Sequence, residues 1–156
     1  MNLNHYEFHS AWSIDAVPGE LFDALNDVMR YPLWWPEIKE VVDLGGEGHL
    51  IVARSLLPYN LRFESRPGVV DREAGILETI MTGDLEGYSR WKLSPEGIGT
   101  RVVFEERVDA NKKLLRRLAL VGRPLFIANH SLMMHRARRG MTVYMAGWSA
   151  ARGGDR

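Results

Sequence analysis

The stretch PLFIANHSLMMHRARRGMTVYMAGW (residues 124–148) decides the fold. Its apolar positions recur at steps of three and four, which is the spacing of one face of an α-helix. That stripe consists of Phe126, His130, Met133, Ala137, Met141, Tyr144 and Trp148. Pro124 suits the first turn of such a helix, which we expect to end near Trp148, before a frayed tail at 149–156. One helix cannot bury this stripe alone, so it needs a concave partner.

The chain before this helix predicts such a partner, because strand-like runs alternate with turn residues. The seven predicted strands lie within residues 4–15, 38–44, 49–57, 61–71, 76–82, 84–94 and 100–109. We therefore predict an α+β fold in one domain, residues 1–148. Seven antiparallel strands wrap the final helix, strand one lies beside strand seven, and short helices after strand one lie at the far edge. Pro18 is well placed to open the first of these helices.

Composition and charge narrow the class of protein. Of 156 residues, 46% are apolar and none is cysteine, which favours a globular domain and excludes disulfides and cysteine metal sites. The N-terminus MNLNHYEFHS lacks the pattern of a signal peptide, and no apolar run reaches ~20 residues, so we expect a cytoplasmic protein. Residues 1–109 carry 19 acidic and 10 basic side chains, whereas residues 110–154 carry nine basic and no acidic ones.

The segment YPLWWPEI (residues 31–38) places two tryptophans between two prolines. Pro32 and Pro36 disfavour a helix of more than about one turn there, because each lacks a backbone N–H and restricts the residue before it. Two large indoles on a short connection must pack against something. They predict either a plug at the end of the core or an aromatic wall at the mouth of a ligand pocket.

Taken together, these features resemble the polyketide cyclase/dehydrase-like branch of the START-like (Bet v 1-like, SRPBCC) superfamily, whose fold is called helix-grip. The resemblance covers about residues 5–148. It rests on Trp12, Ile14, Pro18, Asp27 with YPLWWPEI, Gly83 to Gly87 with Trp91, Gly99-Thr100, Asn129-His130 and Gly140. It implies a deep, largely apolar cavity for a hydrophobic small molecule. It implies no particular reaction, because the superfamily includes cyclases, lipid and hormone carriers and hydrolase-like proteins.

With this fold, ten residues, most of them aromatic or apolar, are candidates for the lining of the pocket. They are Trp34, Trp35, Tyr59, Phe63, Trp91, Phe104, Asn129, Met133, Ala137 and Met141. Adjacent side chains of an extended stretch point in opposite directions, so the two tryptophans are expected to differ. The resemblance places Trp35 against the helix as an anchor, and Trp34 is then expected to line the cavity entrance and to be the more exposed.

Two polar residues fall on these inward rows. Glu106 shares a strand face with Val102, Phe104 and Val108, and His130 belongs to the stripe of the final helix. We predict that both face the pocket and interact directly or through one water. A carboxylic acid in an apolar cavity can exchange a proton with a bound molecule, with the histidine orienting the acid or the substrate. The alternative is a purely structural pair.

Three functions remain open at this stage. The first is a carrier that binds a hydrophobic or aromatic small molecule. The second is a polyketide cyclase/dehydrase-type enzyme that uses Glu106 and His130. The third is a regulatory or membrane-surface module, in which the predicted short helix 111–120 rests on anionic lipid through its basic residues Lys112, Lys113, Arg116 and Arg117.

The sequence does not favour other partners. No phosphate-binding or metalloprotease motif occurs, and His5 and His9 stand about 13 Å apart along a strand, too far to share one metal. We therefore predict no cofactor and no metal. No aromatic platform for stacking bases is evident, so nucleic-acid binding is not expected.

Overall fold

Seven strands form one antiparallel sheet in a computed structural model that describes residues 4–54, 60–114, 116 and 122–153. The strands are β1 (His5–Ile14), β2 (Ile38–Gly45), β3 (Gly48–Ala53), β4 (Leu61–Asp71), β5 (Ile76–Gly83), β6 (Leu85–Glu96) and β7 (Gly99–Ala110). Their spatial order is β1-β7-β6-β5-β4-β3-β2, so strand one lies beside strand seven. The described helices are α1 (Pro18–Asn26), a 3₁₀ turn (Val28–Arg30), α2 (Tyr31–Trp34) and the long α3 (Arg123–Gly153). The predicted helix-grip fold is confirmed.

The apolar stripe of α3 packs into the concave face of the sheet. Phe126, Met133, Ala137 and Met141 are buried, together with the inward rows of β1 and β7. The helix itself continues to Gly153, so residues 149–153 are helical where we expected a frayed tail. The apolar periodicity marks only the part of the helix that is buried, and no residue that breaks a helix occurs between Trp148 and Gly153.

The short helices occupy two different places. The one-turn α2 packs against β2 and α3, at the edge where we expected it, whereas α1 lies across β5, β6 and β7. The expectation for α1 was therefore wrong. Leu21 and Leu25 of α1 are fully buried there, because the strongly twisted sheet exposes apolar surface along its middle as well as at its edge.

The predicted helix at 111–120 lies partly outside the described residues. Residues 112–114 and 116 are helical. Asn111 caps this helix, since its side-chain oxygen accepts the backbone N–H of Leu114 at 2.8 Å.

A glycine allows β6 and β7 to approach closely. A Cβ on Gly87 would lie 2.0 Å from the carbonyl oxygen of Arg107 on the neighbouring strand, and its φ of 152° is one that other residues rarely adopt. Gly87 therefore allows the close approach of the two strands, and it does not line the cavity described below.

Candidate functional site

A small cavity lies between the first half of α3 and the concave face of the sheet. Its volume is about 60 Å³. Nine of the described residues that line it are apolar and three are polar; they are Trp35, Ile38, Ala53, Leu61, Phe63, Met81, Leu85, Phe126 and Met133, and Glu106, Asn129 and His130. An apolar pocket with a few convergent polar groups is the usual form of a small-molecule site.

The polar side of the cavity is formed by Glu106 of β7 and His130 of α3. Their Oε2 and Nε2 atoms are 3.5 Å apart, and both side chains are largely buried. This separation exceeds that of a good hydrogen bond but is short enough for the two side chains to interact directly. The predicted proximity of the two side chains is therefore confirmed by the geometry.

The histidine ring is held in place by aromatic neighbours. It stacks on the Phe8 ring of β1, with centroids 3.6 Å apart and planes 8° from parallel. Beside it, the Asn129 amide donates to the sulfur of Met133 at 3.6 Å, one helical turn further on. The ring has little freedom to turn, so its edge stays directed towards Glu106.

The burial of the two tryptophans is the opposite of what we expected. Trp34 is only 2% exposed and does not line the cavity, whereas Trp35 is half-buried and does. The reason is α2: residues 31–34 form one helical turn, which puts Tyr31 and Trp34 on the same buried face. Trp35 follows in an extended conformation and turns towards the cavity, with its ring stacked 5.4 Å from that of Trp34. The one-turn limit set by the prolines holds, but the assumption of an extended pair was wrong.

Tyr31 completes this aromatic group. Its hydroxyl donates to the Leu25 carbonyl at 2.5 Å, and burial raises the pKa of Tyr31, so the hydroxyl stays protonated. By contrast, no described residue offers a hydrogen-bond partner to the indole nitrogens of Trp34 and Trp35. Both N–H groups are buried donors, of the kind that an ordered water molecule or a polar group of a ligand satisfies.

Comparison with known proteins identifies the family. The family described as polyketide cyclase/dehydrase and lipid transport matches residues 14–124. The chain belongs to this family. No match was found among curated protein sequences.

Solved structures with the family's fold come from several bacteria. A START superfamily protein from Mycobacterium smegmatis is 12% identical, with a TM-score of 0.73 over 91% of this chain and 98% of that one. The Zhui aromatase/cyclase from a Streptomyces species is 10% identical, with a TM-score of 0.71 over 91% and 94%. A protein from Thermus thermophilus is 21% identical, with a TM-score of 0.67 over 89% and 99%. At these identities the likeness shows the fold alone.

The other predicted pocket residues fall into three groups. Phe63, Asn129 and Met133 line the cavity. Trp91, Phe104, Ala137 and Met141 are buried in the close-packed core instead. Tyr59 lies outside the described residues.

These buried residues do not line the cavity because other parts of the core pack directly against them. Trp91 is held between Trp12 and Phe104, with ring centroids 5.2 and 4.5 Å away, so no space remains beside it. Ala137 and Met141 lie one and two turns beyond Met133, where α2 closes over the helix. Periodicity tells which face is inward, but not how far along that face the cavity extends.

Several lining residues were missed by sequence reasoning. They are Ile38, Ala53, Leu61, Met81, Leu85 and Phe126. Leu85 and Phe126 stand on inward rows that the alternation and the stripe had already marked, so their signal was present. Ile38 and Ala53 are paired across β2 and β3, and only the sheet register brings them to the cavity.

The basic residues named for a membrane surface are partly described. Lys112, Lys113 and Arg116 are exposed, and Arg117 lies outside the described residues. Among the described helices, none has the length and apolar character needed to cross a membrane.

Proposed function

We propose that the protein binds a hydrophobic or aromatic small molecule in the cavity beside α3, as a ligand-binding or carrier protein. The observation that carries the proposal is the composition of the cavity wall: apolar side chains on most sides and one Glu106–His130 pair on another. Apolar contacts would hold the body of the ligand, and the polar pair would fix its orientation.

The size of the cavity implies that its wall moves when a ligand enters. About 60 Å³ is less than the ~150 Å³ of an engineered cavity that takes up benzene. Met81 and Met133 have unbranched, flexible side chains that can repack, and Trp35 is only half-buried. We expect these side chains to give way to a ligand, while the fully buried core beyond Met133 stays in place.

A neutral apolar probe tests this binding. N-phenyl-1-naphthylamine should bind the wild-type protein saturably, with increased fluorescence. Ala53→Leu, which fills the cavity from β3, should weaken the binding at least about tenfold. Ala128→Leu makes the same change on the exposed side of α3 and should leave affinity unchanged. Equal probe affinity in Ala53→Leu and the wild type, with both folded, would reject this cavity as the site. Native mass spectrometry of the purified protein would then identify any ligand that it retains.

A second candidate function is proton transfer of the cyclase/dehydrase type, which the Glu106–His130 geometry favours. Glu106 would accept a proton from carbon next to a carbonyl group of the substrate and return it elsewhere, while His130 holds the carboxylate in position. Acetophenone in D₂O is a simple probe, because exchange of its methyl protons is visible by NMR. If the protein is an enzyme, the wild type should accelerate this exchange. Glu106→Gln should lose the acceleration while its affinity for N-phenyl-1-naphthylamine is unchanged. Absence of acceleration would reject this candidate and leave the carrier proposal standing.

A further inference from the structure

A second concave surface lies on the outside of the molecule, between α2 and α3. We call it the outer groove; it has a volume of about 780 Å³ and is lined by Pro32, Leu33, Trp34, Pro36, Arg136, Arg139, Gly140, Val143 and Tyr144. It shares no lining residue with the interior cavity. Trp34 forms part of its floor, and Trp35, stacked behind Trp34, forms part of the cavity wall. The tryptophan pair is therefore the partition between the two spaces.

The outer groove combines exposed apolar walls with charge of one sign. Leu33 is 68% exposed and Val143 is 74% exposed, one on each wall. Isolated exposed apolar residues are common, but two that face one concave space indicate a contact surface. The charged residues of the lining are both arginines. Arg139 has no ion pair with any described residue, and Arg136 has one, with the buried Glu37 at 3.1 Å.

We propose that the outer groove is a docking site for an acidic protein segment. Such a segment would insert an apolar side chain between Leu33 and Val143 and place carboxylates against Arg139 and Arg136. The charge of the helix that forms one wall supports this partner, because α3 (Arg123–Gly153) contains five basic side chains and no acidic one. Carboxylates that enter the groove thus meet Arg136 and Arg139 and no acidic side chain of α3.

Two other occupants fit the surface less well. A second copy of this chain that docks groove to groove would bring Arg136 and Arg139 of one copy against the same arginines of the other. A bilayer is flat on this scale and would bridge the groove rather than fill it. A narrow acidic segment satisfies both the shape and the charge.

The position of the groove links docking to the cavity. Arg136 is the residue that pairs with Glu37, and Glu37 directly follows the Trp34-Trp35-Pro36 stretch. A carboxylate of the partner would compete with Glu37 for Arg136, so docking would loosen one of the contacts that holds the partition. The docking proposal itself does not require a ligand in the cavity.

The test uses a synthetic amphipathic peptide of glutamate and leucine, and a counterpart with lysine in place of every glutamate. The readout is the NMR shift of the Trp34 indole N–H and of the Val143 methyl groups in labelled full-length protein. We expect saturable shifts with the glutamate peptide only. Arg139→Glu and Val143→Asp should each lower its affinity about tenfold or more. Both side chains are exposed, so both variants are expected to fold, which melting curves will verify.

Matched controls lie outside the outer groove. Arg101→Glu makes the same change in net charge, and Ile98→Asp the same change in polarity at an exposed turn; both should bind like the wild type. The proposal would be overturned if the glutamate peptide caused no saturable shift, or if the lysine peptide bound equally well. It would also be overturned if the control variants lost as much affinity as Arg139→Glu and Val143→Asp. Two further outcomes would overturn it in favour of another occupant. A bilayer would be indicated if Arg139→Glu abolished binding to phosphatidylglycerol vesicles while the peptide did not bind. A second copy of the chain would be indicated if Val143→Asp dissociated a dimer in sedimentation.

Discussion

The two halves of α3 differ in packing, although one continuous stripe runs through both. In the second half, Ala137, Met141 and Met145 are fully buried and α2 lies directly on the helix. In the first half, Asn129, His130 and Met133 border an open space and include the polar groups of the cavity. The same periodic pattern thus produces a close-packed core at one end and a binding cavity at the other. The comparison predicts that stability depends mainly on the second half and ligand binding on the first.

A glycine makes the close packing of the second half possible. A Cβ on Gly140 would lie within 1.7 Å of the carbonyl oxygen of Trp34. Glycine inside a helix costs about 1 kcal/mol relative to alanine, so its presence here is explained by the approach of α2. Among the described residues, none of α2 lines the cavity beside the first half of α3.

The largest expected effect distinguishes the two tryptophans. Trp34→Ala should lower the free energy of unfolding by ~3–5 kcal/mol, because it empties a fully buried aromatic site against the second half of α3. Trp35→Ala should cost less, because that side chain is half-buried, but it should change the affinity for N-phenyl-1-naphthylamine. Urea denaturation and probe titration of both variants measure this. Equal destabilisation with unchanged probe affinity would mean that neither indole belongs to the binding region.

The tryptophans also show what the sequence could predict and what it could not. The positions of the strands, the buried stripe and the inward rows followed from periodicity, and Glu106 and His130 were found because each stands on such a row. Short helices after strand one were predicted, but a helical turn at residues 31–34 was not, since two prolines favour extended neighbours. A helical turn instead of an extended stretch exchanges the directions of Trp34 and Trp35. The extent of the cavity depends on where α2 closes over α3, which is a tertiary contact that periodicity does not encode.

A smaller effect is expected at Gly140. Gly140→Ala should lower the free energy of unfolding by ~1–3 kcal/mol, because the added methyl group meets the backbone of α2 and forces the helices apart. Gly147→Ala is the matched control on the same helix: nothing lies within 4 Å of its Cβ position, so helix propensity should leave stability equal or slightly higher. Thermal and urea unfolding measure both. If the two variants behaved alike, the close contact between α2 and the second half of α3 would be wrong.

The ion pair between Glu37 and Arg136 ties the tryptophan segment to the second half of α3. The Glu37 side chain is 2% exposed and that of Arg136 is 55% exposed. Arg136→Ala should therefore cost ~1–3 kcal/mol, mainly by leaving a buried carboxylate without its partner. Glu37→Gln in the same chain should recover part of this loss, because the buried charge is then gone. A double-mutant cycle in urea measures the coupling, and a coupling of zero would show that the pair does not hold the segment.

The smallest expected effect belongs to the start of α3, where the helix meets the edge strand β1. Arg123 donates to the carbonyl of His5 at 2.8 Å, and the His5 ring lies between the carboxylates of Glu7 and Asp109. Hydrogen bonds that the ring donates to the carboxylate of Glu7, first, and to that of Asp109 raise the pKa of His5 above 6.5. A raised pKa in the folded state means that the protonated ring is stabilised by folding. This contribution is fully present below the unfolded value and is lost as the pH rises through the folded one.

Glu7→Gln removes the larger cause and should bring the pKa of His5 back towards 6.5, as read from the NMR titration of its ring protons. The mutant should also lose less stability than the wild type as the pH rises above 6.5. The change is expected to be small because the ring is exposed and water screens the pair. Probe affinity and the contact of α2 with α3 should not change, since neither Glu7 nor His5 borders the cavity. A His5 titration that is the same in Glu7→Gln and the wild type would show that the pair does not form in solution. The junction of β1 with the start of α3 would then contribute nothing to the pH dependence of stability.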